Sequence, residues 1–307
     1  MEYVLQTKDL TKRYRKYKAL DGITMNVPKG SVYGLVGRNG AGKTTLMRVV
    51  CGLQEPSGGS YSIYGVDYSD RKIAASRRRM GAVIEKPAIY LNMTAKQNMK
   101  VQYSLLGLPS DDGIDELLDL VGLADTGKKK ARRFSLGMKQ RLGIAVALAG
   151  SPDFLLLDEP INGLDPQGIV EIRELILKLS REQNITVLIS SHILSELSLL
   201  ATHYGFVDKG RLIKEISAEE LEKQVRKSMK VKVSDTRALS RVLDKLGLEY
   251  EMISDSEGKI YGSISVTQLT TALMDEGCEL LTVTEADESL ESYFIDLVGG
   301  ENVVETH

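Results

Sequence analysis

A mostly parallel α/β domain followed by a small α+β domain is the fold this sequence predicts, and three observations carry the prediction. Short apolar runs alternate with helical periodicity over residues 3–216, the pattern of a parallel sheet covered by helices. One such run, Ser31-Val32-Tyr33-Gly34-Leu35-Val36, enters Gly37-Arg38-Asn39-Gly40-Ala41-Gly42-Lys43-Thr44, which fits G-x-x-x-x-G-K-[ST] at every fixed position. After Ser217 the elements shorten and follow the order β-α-β-β-α-β, that of the split ferredoxin-like unit.

In chain order, apolar runs predict strands at 31–36, 80–84, 154–157, 186–190 and 204–208. Asp208-Lys209-Gly210 reads as a tight turn into a last strand at 212–216. A helix is expected to leave the glycine loop at 44–51. Between 94 and 150 strand signals give way to helical spacing, as in Ile114-Asp115-Glu116-Leu117-Leu118-Asp119-Leu120-Val121, so a helical insert is placed at about 86–150. Residues 1–217 then form the first domain and 218–307 the second. Ser217-Ala218-Glu219-Glu220 resembles a helix-start box, and a charged helix is expected to run to about 227. Beyond it come a strand at 229–233, a helix at 236–246, two strands around Asp255-Ser256-Glu257-Gly258, a helix at 267–276 and a strand at 279–283.

With 307 residues, 42% hydrophobic and 27% charged, the composition is that of a soluble globular chain with a large core. A net charge of −2 provides no overall field toward nucleic acid or anionic lipid. The basic runs Arg77-Arg78-Arg79 and Lys128-Lys129-Lys130-Ala131-Arg132-Arg133 lack interleaved aromatics and read as solvated faces, so no nucleic-acid partner is expected. Two cysteines far apart, Cys51 and Cys278, suit a reducing cytosol and the role of small buried hydrophobes. Met1-Glu2-Tyr3-Val4 does not read as a signal peptide, and the longest apolar runs fall well short of the roughly 20 residues that span a bilayer. Any membrane work is therefore expected to involve another chain.

The glycine loop supplies the first piece of chemistry. Its glycines let successive N–H groups point inward at phosphate oxygens, Lys43 adds a point charge for the outer phosphates, and Thr44 offers a hydroxyl to Mg²⁺. The helix that follows adds about half a positive charge at its N-terminus. Phe154-Leu155-Leu156-Leu157-Asp158-Glu159 is an apolar strand ending in two carboxylates. Asp158 is expected to hold Mg²⁺ with Thr44, and Glu159 to orient or deprotonate a water. His192 closes the strand at 186–190 on the sheet edge where ligands bind, and is placed to help hold that water. Ser135 reads as the N-cap of a helix over 136–149, which makes a second anion-binding helix start.

Taken together, the glycine loop, Ser135-Leu136-Gly137-Met138-Lys139-Gln140-Arg141, Leu157-Asp158-Glu159-Pro160, Gly163-Leu164-Asp165 and Ser191-His192 resemble the ATP-binding cassette (ABC) family over residues 3–216. The resemblance implies an ATPase whose second copy closes head to tail upon it. ATP and Mg²⁺ would lie between Gly37, Asn39, Gly40, Ala41, Gly42, Lys43, Thr44 and Thr45 of one copy and Ser135 and Gly137 of the other, with Asp165 across the seam. Tyr14 matches the family's adenine-stacking aromatic; core packing is its competing role. Two departures stand out. The usual Leu-Ser-Gly-Gly-Gln signature reads Phe134-Ser135-Leu136-Gly137-Met138, and Glu85 replaces a glutamine that touches Mg²⁺ and the water. Glutamate still offers hard oxygen to the metal but adds a charge. Glu85, Pro87-Ala88-Ile89-Tyr90 and the appended domain look most like the bacitracin and lantibiotic transport and self-protection branch. The resemblance implies a separately encoded permease and a place on the cytoplasmic face of the membrane. The hydrophobic stretch 87–93, expected at the rim of the helical insert, is the candidate docking surface, with packing within the insert as its competing role. The rival reading is a soluble ABC ATPase of regulation, translation or DNA repair, and such proteins usually carry two cassettes, a long coiled coil or a zinc insert.

Overall fold

A computed structural model of the chain describes residues 2–224, 228–262, 264–286 and 290–300. By its internal contacts the chain divides into two compact units, Met1–Ala218 and Glu219–His307.

The first unit opens with a hairpin of β1 (Tyr3–Tyr14) and β2 (Tyr17–Pro28). β3 (Val32–Val36) then leads through the glycine loop into α1 (Lys43–Val50). β4 (Gly58–Ile63), β5 (Val66–Asp67), α2 (Ile73–Arg78) and β6 (Met80–Val83) follow. The insert holds α3 (Ala95–Leu106), α4 (Ile114–Leu120) and α5 (Leu136–Leu148). β7 (Phe154–Asp158), α6 (Pro166–Gln183), β8 (Thr186–Ser191), α7 (Leu194–Ser198), β9 (His203–Asp208) and β10 (Arg211–Ser217) complete the unit. The main sheet has the order β10-β9-β3-β8-β7-β6. Its neighbours are parallel except for β10, which turns back against β9. β3, β7 and β8 are buried at every position, as continuous apolar runs require when both faces of a parallel sheet are covered.

A second sheet, of order β2-β1-β4-β5 and wholly antiparallel, was not foreseen. Its strands carry many polar residues and several register shifts. Those irregularities break the strict alternation by which a half-buried strand is recognised. Its inward side chains Leu5, Leu10, Leu20, Ile23, Met25 and Ile63 share one core cluster with Tyr33 and Leu35 of β3 and with Leu46, Met47, Val49 and Val50 of α1. Each fully buried side chain of this kind is worth about 1.5–3 kcal/mol, so the helix behind the glycine loop is fixed by two sheets.

Local signals place the insert helices. Thr94 and Gln97 form a reciprocal capping box at the start of α3, and Gly107 ends it at φ 68°. Ser135 caps α5 and Asp165 caps α6, whose first residue is Pro166. The reading of Arg77-Arg78-Arg79 as a solvated face holds for Arg78 and Arg79, which are exposed, and needs correction at the half-buried Arg77. Arg77 donates to the Tyr61 hydroxyl, and Arg79 pairs with Asp153 while lying 3.7 Å from the Tyr64 ring centre. A planar guanidinium can satisfy an aromatic face and a hydrogen-bond acceptor at once, which a charge count does not reveal.

Cys51, at the end of α1, is largely sequestered, and burial pushes its thiol up to about 12, with the nearby Arg77 guanidinium pulling the other way. Cys278 is 1% exposed. Since the thiolate is the reactive form, the folded protein at pH 8 should resist alkylation at both thiols and take up two equivalents once denatured. Rapid native modification of Cys51, read by mass spectrometry, would contradict this.

In the second unit, β11 (Ser228–Val233), α9 (Thr236–Leu246), β12 (Glu249–Met252), β13 (Glu257–Tyr261), α10 (Val266–Asp275) and β14 (Leu280–Ala286) follow α8 (Ala218–Gln224). The sheet order β12-β13-β11-β14, antiparallel throughout, is that of the split β-α-β unit. Val231, Val233, Leu239, Leu243, Ile260, Leu269 and Leu273 form its core. A final helix, α11 (Leu290–Gly300), was not anticipated. The end of the expected charged helix, residues 225–227, lies outside the described residues.

Candidate active site

The glycine loop is gripped from two sides, and its glycines are required by contact as well as by backbone angle. A Cβ on Gly37 would lie 2.4 Å from the Val207 carbonyl oxygen, and one on Gly42, at φ 111°, would lie 2.5 Å from that of Ala19. Gly210 completes the clasp: its N–H donates to the Ala41 carbonyl at 2.9 Å and its carbonyl accepts from Asp21 N–H at 2.8 Å. The turn at 208–210 thus fixes the loop, in addition to joining two strands.

Lys43 is 5% exposed, and its ammonium reaches three acceptors: the Gly37 carbonyl at 2.6 Å, the Arg38 carbonyl at 3.3 Å and Glu159 Oε1 at 3.1 Å. The last contact is an ion pair without hydrogen-bond alignment, since Glu159 Oε1 is buried and has no hydrogen-bond partner. Glu159 Oε2 meets His192 Nδ1 at 2.7 Å. Glu159 sits at φ 49°, a left-handed angle uncommon for a residue with a Cβ, and its N–H donates to Ser190 Oγ at 2.9 Å. One strand end thereby aims consecutive carboxylates in different directions.

The first of them, Asp158, is 2% exposed; its Oδ2 accepts from Thr44 Oγ1 at 2.8 Å and its Oδ1 from Ser190 Oγ at 2.6 Å. A hydroxyl and a carboxylate oxygen in contact are hard donors of the kind Mg²⁺ takes. Among the described residues no group of three or more His, Cys, Asp or Glu side chains could hold a metal by itself. The donor set therefore fits a Mg²⁺ that arrives with substrate phosphates and takes only one or two protein ligands.

Beside these groups lies a cavity of about 290 Å³, bordered by Asn39, Gly40, Ala41, Gly42, Lys43, Thr44, Thr45 and Glu159 and by Tyr14, Tyr17 and Ala19 from the β1–β2 hairpin. Tyr14 is 39% exposed at the hairpin tip, so core packing does not describe it. Its hydroxyl donates to Gln54. Sequence reasoning missed Ser190, which ties Asp158 to Glu159, and Tyr17. The first polar residue after the apolar run 186–189 was a usable signal for Ser190; nothing in the sequence separated Tyr17 from other surface tyrosines.

The remaining residues singled out lie elsewhere. Glu85, at φ 61°, pairs with Arg48, one turn beyond Thr44 on α1. Ser135 and Gly137 sit with Asp165 in a second patch where α5 and α6 begin side by side: a Cβ on Gly137 would lie 3.9 Å from Leu164 Cδ2 and 4.0 Å from Gly168 Cα. Ser135 Oγ accepts from Met138 N–H at 3.2 Å, and Asp165 Oδ1 from Gly168 N–H at 3.1 Å. Accepting in this way leaves the Ser135 O–H to donate.

A clasped phosphate loop, a Thr–Asp pair and a Glu–His pair at the ends of parallel strands define a P-loop nucleoside triphosphatase. Residues 20–162 match the ABC transporter family. The chain is 41% identical over 303 residues to the bacitracin transport ATP-binding protein BcrA of Bacillus licheniformis, a match covering 98% of this chain and 99% of that protein. It is 47% identical over 212 residues to the lantibiotic transport ATP-binding protein SrtF of Streptococcus pyogenes, covering 69% and 90%. The structure of cbiO1 from Clostridium perfringens, part of the ABC transporter complex cbiONQ, superposes with a TM-score of 0.65 at 27% identity over 80% of this chain and 97% of that one. This chain belongs to the ATP-binding subunits of ABC transporters, which bind and hydrolyse ATP. Within them it is closely related to the bacitracin and lantibiotic transport ATPases. Among the described residues no helix is long and apolar enough to cross a membrane.

Proposed function

We propose that this chain is the motor of an exporter whose membrane part is a separately encoded polytopic permease, and that its cargo is a peptide antibiotic or another amphipathic compound. The names of the relatives, bacitracin and lantibiotic transport proteins, support the cargo class. The observation that carries the motor reading is the Lys43–Glu159–His192 chain beside the Thr44–Asp158 pair.

In this reading the loop N–H groups and Lys43 hold the β- and γ-phosphates. Thr44 and Asp158 hold Mg²⁺, which neutralises charge on the phosphate oxygens when bound. Glu159 Oε2 accepts a proton from the attacking water, and His192, whose Nδ1 lies 2.7 Å from that same oxygen, orients the carboxylate. Glu85, paired with Arg48, would offer a further hard oxygen to Mg²⁺. Ser135 and Gly137 do not border the cavity. A second copy supplies them head to tail, so that the start of its α5 meets the γ-phosphate and its Asp165 lies across the seam. Closure on ATP and reopening after hydrolysis would drive the permease, placing the protein on the inner face of the membrane.

Affinity purification of the tagged full chain from solubilised membranes of its own cell should bring down a polytopic partner. Recovery only of ribosomal or DNA-repair components would instead favour the soluble-ATPase reading.

A further inference from the structure

The hairpin wall of the cavity carries two tyrosines, and they are not equally committed. Tyr14 and Tyr17 are directly opposed across the antiparallel β1–β2 pair, so their side chains rise from one face of the hairpin. Both line the cavity. Tyr14 is tied down: its hydroxyl donates to Gln54, and the Lys12 ammonium, anchored on the Glu55 carbonyl, lies 5.5 Å from its ring centre. Tyr17 is 59% exposed, and its hydroxyl lies 3.4 Å from the Gly40 carbonyl oxygen, a long contact to the phosphate loop.

An aromatic ring left in water at the mouth of a phosphate cavity gains burial and stacking when a flat heterocycle covers it. The loop and Lys43 fix where phosphates sit, and the hairpin supplies the aromatic rings of the cavity lining. We propose that Tyr17 is a second base-contacting residue, so that the nucleobase is held by a two-tyrosine wall in which Tyr14 is the fixed member and Tyr17 the movable one. The contact reads the flat face of the base and not its edge, and therefore serves adenine and guanine alike. This deepens the assignment of the cavity to ATP and rests on it.

The test compares three ligands, ATP, GTP and inorganic tripolyphosphate, binding to the full-length protein by calorimetry. Tyr17→Ala should weaken ATP and GTP each by about tenfold, the scale of one aromatic–base stack, while tripolyphosphate affinity stays unchanged. Tyr17→Phe should preserve all three, and Tyr17→Leu, which keeps apolar bulk without a π-face, should fall between. Unchanged ATP affinity in Tyr17→Ala and Tyr17→Leu would overturn the proposal. So would an equal loss for tripolyphosphate, since Tyr17 would then act through Gly40 on the loop. Failure of the underlying site assignment would look different, because wild-type protein would bind none of the three.

Discussion

Glu159→Gln is expected to lower steady-state ATP hydrolysis by about 10²–10⁴-fold, the usual contribution of a positioned general base, while leaving ATP bound. The amide keeps the shape of the side chain and can still meet His192, which lies 2.7 Å from Oε2. What disappears is the basic oxygen proposed above to take the proton of the attacking water. A second consequence follows from charge. Glu159 Oε1 lies 3.1 Å from the Lys43 ammonium and competes with the phosphates for it. Neutralising Glu159 frees that cation, so the variant should hold ATP at least as tightly as the wild type. ATP-laden pairs of chains should therefore accumulate on size exclusion, with little phosphate released. Hydrolysis within a fewfold of wild type would transfer the catalytic role to another group. Slow hydrolysis without pairing would keep that role for Glu159 and remove the head-to-tail sandwich.

The main sheet and the phosphate loop were legible because buried parallel strands announce themselves as unbroken apolar runs. The loop's glycines are also demanded by backbone geometry, as the 2.4 Å approach of a Gly37 Cβ to the Val207 carbonyl makes concrete. The antiparallel sheet was not legible, because the shifts between Thr7 and Leu10 and between Leu10 and Lys12 scramble the alternation that would mark it. At the site, each fixed motif position was readable one residue at a time, but the couplings were not. That Ser190 joins Asp158 to the Glu159 backbone, and that Gly210 secures Ala41, are contacts between segments 32 and 169 residues apart. Glu85 illustrates the same gap: the sequence marked it as a departure, yet its partner Arg48 follows only from the way β6 ends beside α1. Arg77 failed in the opposite direction, because a run of like charges hid a guanidinium spent on packing.

Lys43→Ala should abolish measurable ATP binding, and the structure gives two separable reasons. The ammonium is 5% exposed and fully engaged by the Gly37 and Arg38 carbonyls and by Glu159, so it is already oriented where the outer phosphates come to rest. Losing a buried charge that would pair with the phosphates costs about 2–5 kcal/mol, or roughly 30-fold to a few thousandfold in affinity. The second reason is what remains. Without Lys43, the Glu159 carboxylate faces an incoming triphosphate without the ammonium that lay 3.1 Å from its Oε1, and repulsion adds to the lost attraction. The same uncompensated charge should lower the melting temperature of the nucleotide-free protein. Combining Lys43→Ala with Glu159→Gln separates these effects: the double variant should regain thermal stability, since no buried charge is stranded, and still fail to bind ATP, since no cation meets the phosphates. Recovery of ATP affinity in the double variant would mean that Lys43 serves only to neutralise Glu159. Unchanged affinity in the single variant would remove the phosphate-loop assignment altogether, because a glycine turn that binds ATP without its lysine is no phosphate site of this kind.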